Sequence, residues 1–365
     1  MMAQAFITRR KGGGGVNKDL PAQVTAFTAT ADSTPSITLN WVNPTEYWAG
    51  TLIVKKAGSA PEGVNDGEKV YKGEETSYTD FDVSFDTEYF YRAFPYNEKK
   101  QYQTLIVTAN ATPTKEIIAP LYTGDYTVAE VGEYVYMHLL TSGTLTIQQD
   151  AEYDLFCVGG GGGGVGSSNY HYGAGAGGYT ATAKGIELNA DDVINVTIGS
   201  GGLSGSSKGG AGGTTSFAGA TKLAAEGGTN ARRVNYTYAG HNGGSGGGAG
   251  YRSPYTGGED GSNGKNTTYG GKGQGSTTRA FAETDGTLYA SGGSGAPETA
   301  GRAAGISAGA GFGITVNSGS TSAGNATANT GSGGGSAYNR DSEDGSATGG
   351  SGGSGIAIIR WKKAA

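Results

Sequence analysis

The chain has 365 residues, 35% of them hydrophobic and 16% charged, with a formal net charge of −6 and 71 glycines. That length accommodates two or three domains, and no apolar run of about 18 residues offers a membrane-spanning helix, so membrane insertion is excluded. An acidic balance without a basic cluster lacks the electrostatic footprint of nucleic-acid binding, which excludes DNA and RNA as main partners.

The opening arm, residues 1–19, carries Phe6, Ile7, Arg9 and Arg10 ahead of the Gly12 to Gly15 run. Its basic residues follow its apolar ones, the reverse of a secretory signal, so export by that route is not expected. It is too short to fold alone and reads either as a docking arm that adds to a partner surface or as a frayed terminus.

From residue 20 to 112, strand patterns separated by turn residues mark an all-β sandwich. Val24, Ala26 and Thr28 alternate in a first strand, and Ile37, Leu39 and Trp41 line one face of a second. Further strands follow at Leu52 to Val54, Lys69 to Tyr71, Ser77 to Phe81, Thr87 to Phe94 and Gln103 to Thr108. Trp41 in the second strand, and Phe85-Asp86-Thr87-Glu88-Tyr89 as the turn into a tyrosine corner, make this stretch resemble a fibronectin type III domain. Such modules carry little function by themselves, and the resemblance implies a spacer. Residues 113–120, bracketed by Pro113 and Pro120, read as a stiff linker.

Residues 121–365 form the glycine-rich part. Six glycines, Gly159 to Gly164, follow the apolar run Leu155-Phe156-Cys157-Val158, and all but about a dozen of the 71 glycines lie from Cys157 onward. The lone cysteine sits in what reads as a buried strand and has no partner for an intrachain disulfide. Glycine loses more backbone entropy on ordering than any other residue, so such runs are either flexible linkers or close-packed helices with three residues per turn and no Cβ between them. Helices of that kind have no internal hydrogen bonds, so neighbouring segments must supply the partners. Strand signals at Tyr179 to Ala183, Val193 to Ile198, Thr214 to Phe217, Leu223 to Ala225 and Ile356 to Trp361 favour a folded β unit over a linker.

The order of these pieces resembles the glycine-rich domain of phage tail and other virion proteins. The residues that carry it are Leu155 to Gly164, Gly175 to Tyr179, Ile194 to Gly202, Gly210 to Gly213 and Gly352 to Arg360. The arm Phe6-Ile7-Thr8-Arg9-Arg10 also looks like the start of tail-associated proteins of phages and prophages of Gram-positive bacteria. In related tip adhesins of T-even-like phages, packed polyglycine helices carry loops that touch the host. The fold class implied is all-β: a fibronectin type III-like sandwich followed by a glycine-rich β domain with packed polyglycine II-type helices.

Little in the chain points to catalysis. His138, His171 and His241 lack metal-ligand spacing, no cofactor is implied, and Gly270 to Ser276 lacks the lysine-serine ending and preceding strand of a phosphate loop. The acidic stretches Glu259 to Gly264 and Asp341 to Asp344 read as weak calcium sites or solvated loops. What does stand out is aromatic residues set among glycines: Tyr170, His171 and Tyr172; Tyr236 and Tyr238; Tyr251, Arg252 and Tyr255; and Tyr269. Tyrosine offers a rigid apolar face and a polar tip, suited to stacking on sugars, although the same rings could cap the ends of glycine helices.

The expected function is therefore non-enzymatic. A virion appendage protein, assembled in the host cytoplasm and exposed on the particle, would dock to other virion proteins through Phe6, Ile7, Arg9 and Arg10. It would act in several copies or as a homo-oligomer and recognise a bacterial surface glycan or protein, a saccharide foremost. The alternatives are a purely structural head, neck or capsid decoration, and a bacterial surface protein.

Overall fold

The computed structural model describes residues 20–32, 34–231, 238–251, 253–303 and 308–363. The chain divides into two compact units, one ending at Glu116 and the other running from Ile117 to Lys363. The docking-arm residues Phe6, Ile7, Arg9 and Arg10, and the candidate residues Tyr236 and Arg252, lie outside the described residues.

The first unit is a β-sandwich of β1 (Thr25–Ala31), β2 (Ile37–Val42), β3 (Gly50–Ala57), β4 (Glu68–Gly73), β5 (Ser77–Asp80), β6 (Tyr89–Tyr96) and β7 (Thr108–Ala111). One sheet has the order β1-β2-β5 and the other β4-β3-β6-β7, with every pairing antiparallel. Period-2 alternation on β2 puts Ile37, Leu39 and Trp41 into a core with Ile53, Tyr91 and Ala93. The Trp41 indole N–H donates to Asn43 Oδ1 at 2.8 Å, and its ring meets Tyr71 edge-on at 5.1 Å. Tyr89 opens β6 and its hydroxyl accepts the Ser84 N–H at 3.1 Å, the geometry of a tyrosine corner. The first strand corrects the sequence pattern. A bulge between Thr25 and Thr28, with Ala26 at φ +50°, shifts the alternation, so that Phe27 and Ala29 pack on the core while Ala26 and Thr28 face out.

The second unit opens with β8 (Leu121–Tyr122), β9 (Tyr126–Val131), β10 (Tyr134–Leu139), β11 (Gly143–Thr146), β12 (Ala151–Val158), β13 (Gly166–Ser167), β14 (Thr180–Leu188), β15 (Val193–Thr197), β16 (Thr215–Gly219) and β17 (Leu223–Ala225). It continues through β18 (Gly301–Arg302), β19 (Ile314–Val316), β20 (Thr321–Ser322), β21 (Ala337–Asn339) and β22 (Ala347–Thr348) to β23 (Ile356–Lys362). Two five-stranded sheets, β14-β12-β23-β10-β9 and β17-β16-β15-β11-β8, share one core that includes Leu145, Leu155, Cys157, Ile194, Phe217, Ile359 and Trp361. Ile117 packs against the same core. The last strand thus lies at the centre of a sheet, between β12 and β10. Alternate residues of β12 and β23 serve opposite faces. Phe156, Val158, Ile356 and Ile358 pack on a second cluster with Phe281, Tyr289 and Ala290, contributed by the turn at residues 278–290. Arg360 fastens that turn: it is 2% exposed, pairs with Glu283 at 2.7 Å and Asp154 at 2.9 Å, and lies over the Phe281 ring at 4.0 Å. Burial raises the Cys157 thiol to about 12, which keeps it a neutral core residue.

Beyond Val158 the backbone leaves the sheet without losing partners. The N–H groups of Gly159 and Gly162 donate to Tyr179 and Ala176, those of Gly160 and Gly163 to Gly213 and Gly210, and those of Gly161 and Gly164 to Gly353 and Gly350. The carbonyls of Gly160 and Gly163 accept from Gly228 and Ala231, those of Gly161 and Gly164 from Gly202 and Gly205, and that of Gly162 from Gly334. Six segments therefore surround this one, and each hydrogen-bonding direction recurs after three residues. A strand ladder, in contrast, repeats after two and has two neighbours. Glycine is required because a Cβ on Gly161 would fall on the Ser332 carbonyl oxygen, and one on Gly164 on that of Gly335.

Candidate functional site

The short parallel pairing of β13 with β21 matches Ser167 to Tyr338 and so sets Tyr338 beside the insert that follows β13. Within that insert Ser167 Oγ accepts the N–H groups of Asn169 at 3.1 Å and Tyr170 at 3.3 Å, which turns the chain. Two hydrogen bonds bring the other aromatic residues in: Gly250 N–H to the Tyr238 carbonyl at 2.7 Å, and Tyr251 N–H to the Ala296 carbonyl at 2.8 Å. Tyr251 stands at φ +64°.

The rings converge on His171. Its imidazole lies 3.8 Å from the Tyr338 ring centroid, 5.0 Å from Tyr251 and 6.5 Å from Tyr238. Tyr238 and Tyr251 are 5.0 Å apart with planes at 30°, and Tyr170 meets Tyr172 edge-on at 6.4 Å. His171 and Tyr172 are buried, Tyr172 against Val165 and Ala231. Tyr170, Tyr238, Tyr251 and Tyr338 are half-buried. Burial, with repulsion from Arg340, lowers the imidazole to about 4 against the pull of the Ala296 and Pro297 carbonyls. Its Nδ1 has no hydrogen-bond partner among the described residues. The result is a neutral, rigid base under partly open tyrosine faces. Such a surface can stack on apolar C–H faces while its hydroxyl groups and the exposed Arg340 supply polar contacts.

The structure thus brings together His171, Tyr238 and Tyr251, and separately Tyr170 and Tyr172. His171 is buried under the rings of Tyr338, Tyr251 and Tyr238, whereas Tyr172 is buried in a separate cluster with Val165 and Ala231, against which Tyr170 packs. The backbone carbonyls of Tyr255 and Tyr269 accept Gly295 N–H at 2.8 Å and Gly240 N–H at 2.6 Å. Tyr338 escaped the sequence pattern. Its signal, a tyrosine three residues after the glycine run Gly333 to Gly335, was of the same kind as the others.

Apart from this cluster, a concavity of about 200 Å³ is lined by Tyr136, His138, Phe281, Glu283, Asp285 and Tyr289, among others. Burial lowers the His138 pKa. Among the described residues no group of three or more His, Cys, Asp or Glu side chains could hold a metal ion. Asp260, from one of the acidic stretches, is occupied structurally, accepting from Thr278 N–H at 3.1 Å and from Arg279 Nε at 3.1 Å.

The model of the glycine-rich domain family matches residues 140–362. No curated protein matches the chain. Among solved structures, the crystal structure of chicken CNTN1 FN1–FN3 domains aligns at 14% identity and a TM-score of 0.23, over 48% of this chain and 60% of that one, less than two-thirds of its length.

Proposed function

The chain belongs to the glycine-rich domain family, and from that premise we propose that it is a non-enzymatic appendage protein of a phage particle that recognises a saccharide on a bacterial surface. The observation that carries this reading is the cluster of Tyr238, Tyr251 and Tyr338 over buried His171, half open on a backbone network that fixes its geometry. Preorganised aromatic faces lose little entropy on binding, and several copies per particle raise the avidity of weak single contacts. In the same reading the glycine segments are packed polyglycine II-type helices. The three-residue recurrence of their hydrogen bonds, in six directions around Gly159 to Gly164, supports that geometry. The order of the glycine-rich pieces along the chain supports the virion setting. In this reading the fibronectin type III-like sandwich is a spacer and the N-terminal arm docks to other virion proteins.

The test is binding of the labelled full-length chain to intact Gram-positive cells and to their isolated wall polysaccharide, alongside a Tyr238→Ala/Tyr338→Ala variant. Each stacking ring lost should weaken binding on the order of tenfold, with the circular dichroism spectrum unchanged. A folded wild-type chain that binds neither cells nor polysaccharide would move the reading to a structural decoration protein.

A further inference from the structure

Lys55, on β3, is an amine enclosed in the sandwich: the residue is 4% exposed and its β5 partner Asp80 2%. Nζ lies 3.2 Å from Asp80 Oδ2 and 3.1 Å from Glu68 Oε2 on β4. It also donates to the Asp82 carbonyl. Both oxygens of Asp80 are held. The fully buried Tyr91 hydroxyl donates to Oδ2 at 3.0 Å, and the Asp82 N–H donates to Oδ1 at 3.0 Å. Because β3 belongs to one sheet and β5 to the other, the Lys55–Asp80 contact spans the sandwich.

A buried ion pair alone is weak evidence of stabilisation, since desolvation cancels much of the attraction. This arrangement holds more than a pair. An amine, a carboxyl carbon, a second carboxylate on the amine and two donors on the carboxyl oxygens are the parts of an acyl-transfer site. The geometry points to an intramolecular amide between Lys55 Nζ and Asp80 Cγ, formed by the folded chain itself and stapling its two sheets. Burial works to lower the pKa of the amine, and hydrogen bonds to Glu68 and Asp80 more than offset it, so Lys55 rests as an ammonium. Its proton must leave before attack, and the Glu68 carboxylate is placed to take it. Glu68 is half open to solvent, so its side chain can swing as it passes the proton on. The freed nitrogen then attacks Cγ. Oδ1, held by the Asp82 N–H, carries the negative charge of the tetrahedral intermediate. As the Cγ–Oδ2 bond breaks, Oδ2 departs with the two protons lost by the ammonium, one of them returned by Glu68. An ammonium and a carboxylate give one amide and one water, and no oxidant, metal or cofactor enters. The same interior keeps bulk water away from the amide once it has formed.

Intact-mass measurement on the folded full-length chain tests the proposal. The expected mass is the sequence mass less one water, and digestion should yield a branched peptide joining Lys55 to Asp80. Lys55→Arg should restore the full mass, while Asp80→Asn should reach the same amide by losing ammonia in place of water. The full sequence mass in folded, aged wild-type protein overturns the proposal. So does a water loss that survives Lys55→Arg, which would belong to succinimide formation at a site such as Asp66-Gly67.

Discussion

The fibronectin-like sandwich and the glycine-rich unit bury their backbones by opposite means. In the sandwich, side chains make the interior. Ile37, Leu39, Trp41 and Ile53 fill the space between two sheets, and glycines such as Gly58, at φ +74°, serve turns. In the glycine-rich unit the glycines are themselves the interior, and around Gly159 to Gly164 the neighbours are the carbonyls of other segments. A backbone lattice has little apolar area to remove from water, so hydrogen bonds and close van der Waals approach must offset an entropy cost that is highest for glycine. Net hydrogen-bond contributions of about 1 kcal/mol make that balance narrow. The side-chain core between the two five-stranded sheets closes the gap, because β12 leads directly into Gly159 and β23 follows directly from Gly355. The lattice segments grow out of strands that are already fixed.

The largest effects should separate the two kinds of interior. In Gly161→Ala the added methyl falls on the Ser332 carbonyl, backbone against backbone, and neither segment can yield without breaking its own hydrogen bonds. The cost should exceed the ~1–3 kcal/mol of ordinary overpacking. The melting transition of the glycine-rich unit should be lost while that of the sandwich persists. Gly275→Ala is the control: at φ +77° with open space around it, it should cost only about 1–2 kcal/mol of left-handed strain. Equal melting of the two variants would break the comparison. Next in size is Trp41→Ala, which opens a cavity in the sandwich and should remove about 3–5 kcal/mol from that unit alone. Calorimetry resolves which transition moves, and a joint shift of both would mean that the two units unfold as one.

Strand identity was legible in the sequence, and partner identity was not. Alternation placed β2 and β15, and continuous apolar runs placed β12 and β23, because a half-buried strand alternates while one buried on both faces does not. The bulge after Thr25 left no such mark, and the inward set moved from Ala26 and Thr28 to Phe27 and Ala29. In the glycine-rich part every segment looks alike, so nothing in composition says that Gly161 donates to Gly353 rather than to Gly213. The same loss of information governs the aromatic cluster. Isolated tyrosines among glycines were visible, but only the backbone network decides that Tyr238 and Tyr251 meet at His171.

Acid should distinguish the units by a smaller margin. All three histidines, His138, His171 and His241, belong to the glycine-rich unit. Burial holds His171 at about 4, against 6.5 for a free imidazole. Between those values the unfolded chain binds a proton that the folded chain does not, so stability is full above about 6.5 and falls as the pH drops toward 4. A shift of that size corresponds to at most about 3 kcal/mol, and His138, lowered by burial, acts in the same direction. Urea melts across this window should show the glycine-rich transition weakening while the sandwich transition stays level. His171→Phe keeps an aromatic ring under Tyr338 and Tyr251 without the titrating nitrogen, so its pH slope should be shallower than that of the wild type. An unchanged slope in that variant would mean that the wild-type imidazole takes up its proton without leaving the cluster, and the tyrosine platform would then rest on a base that acid leaves in place.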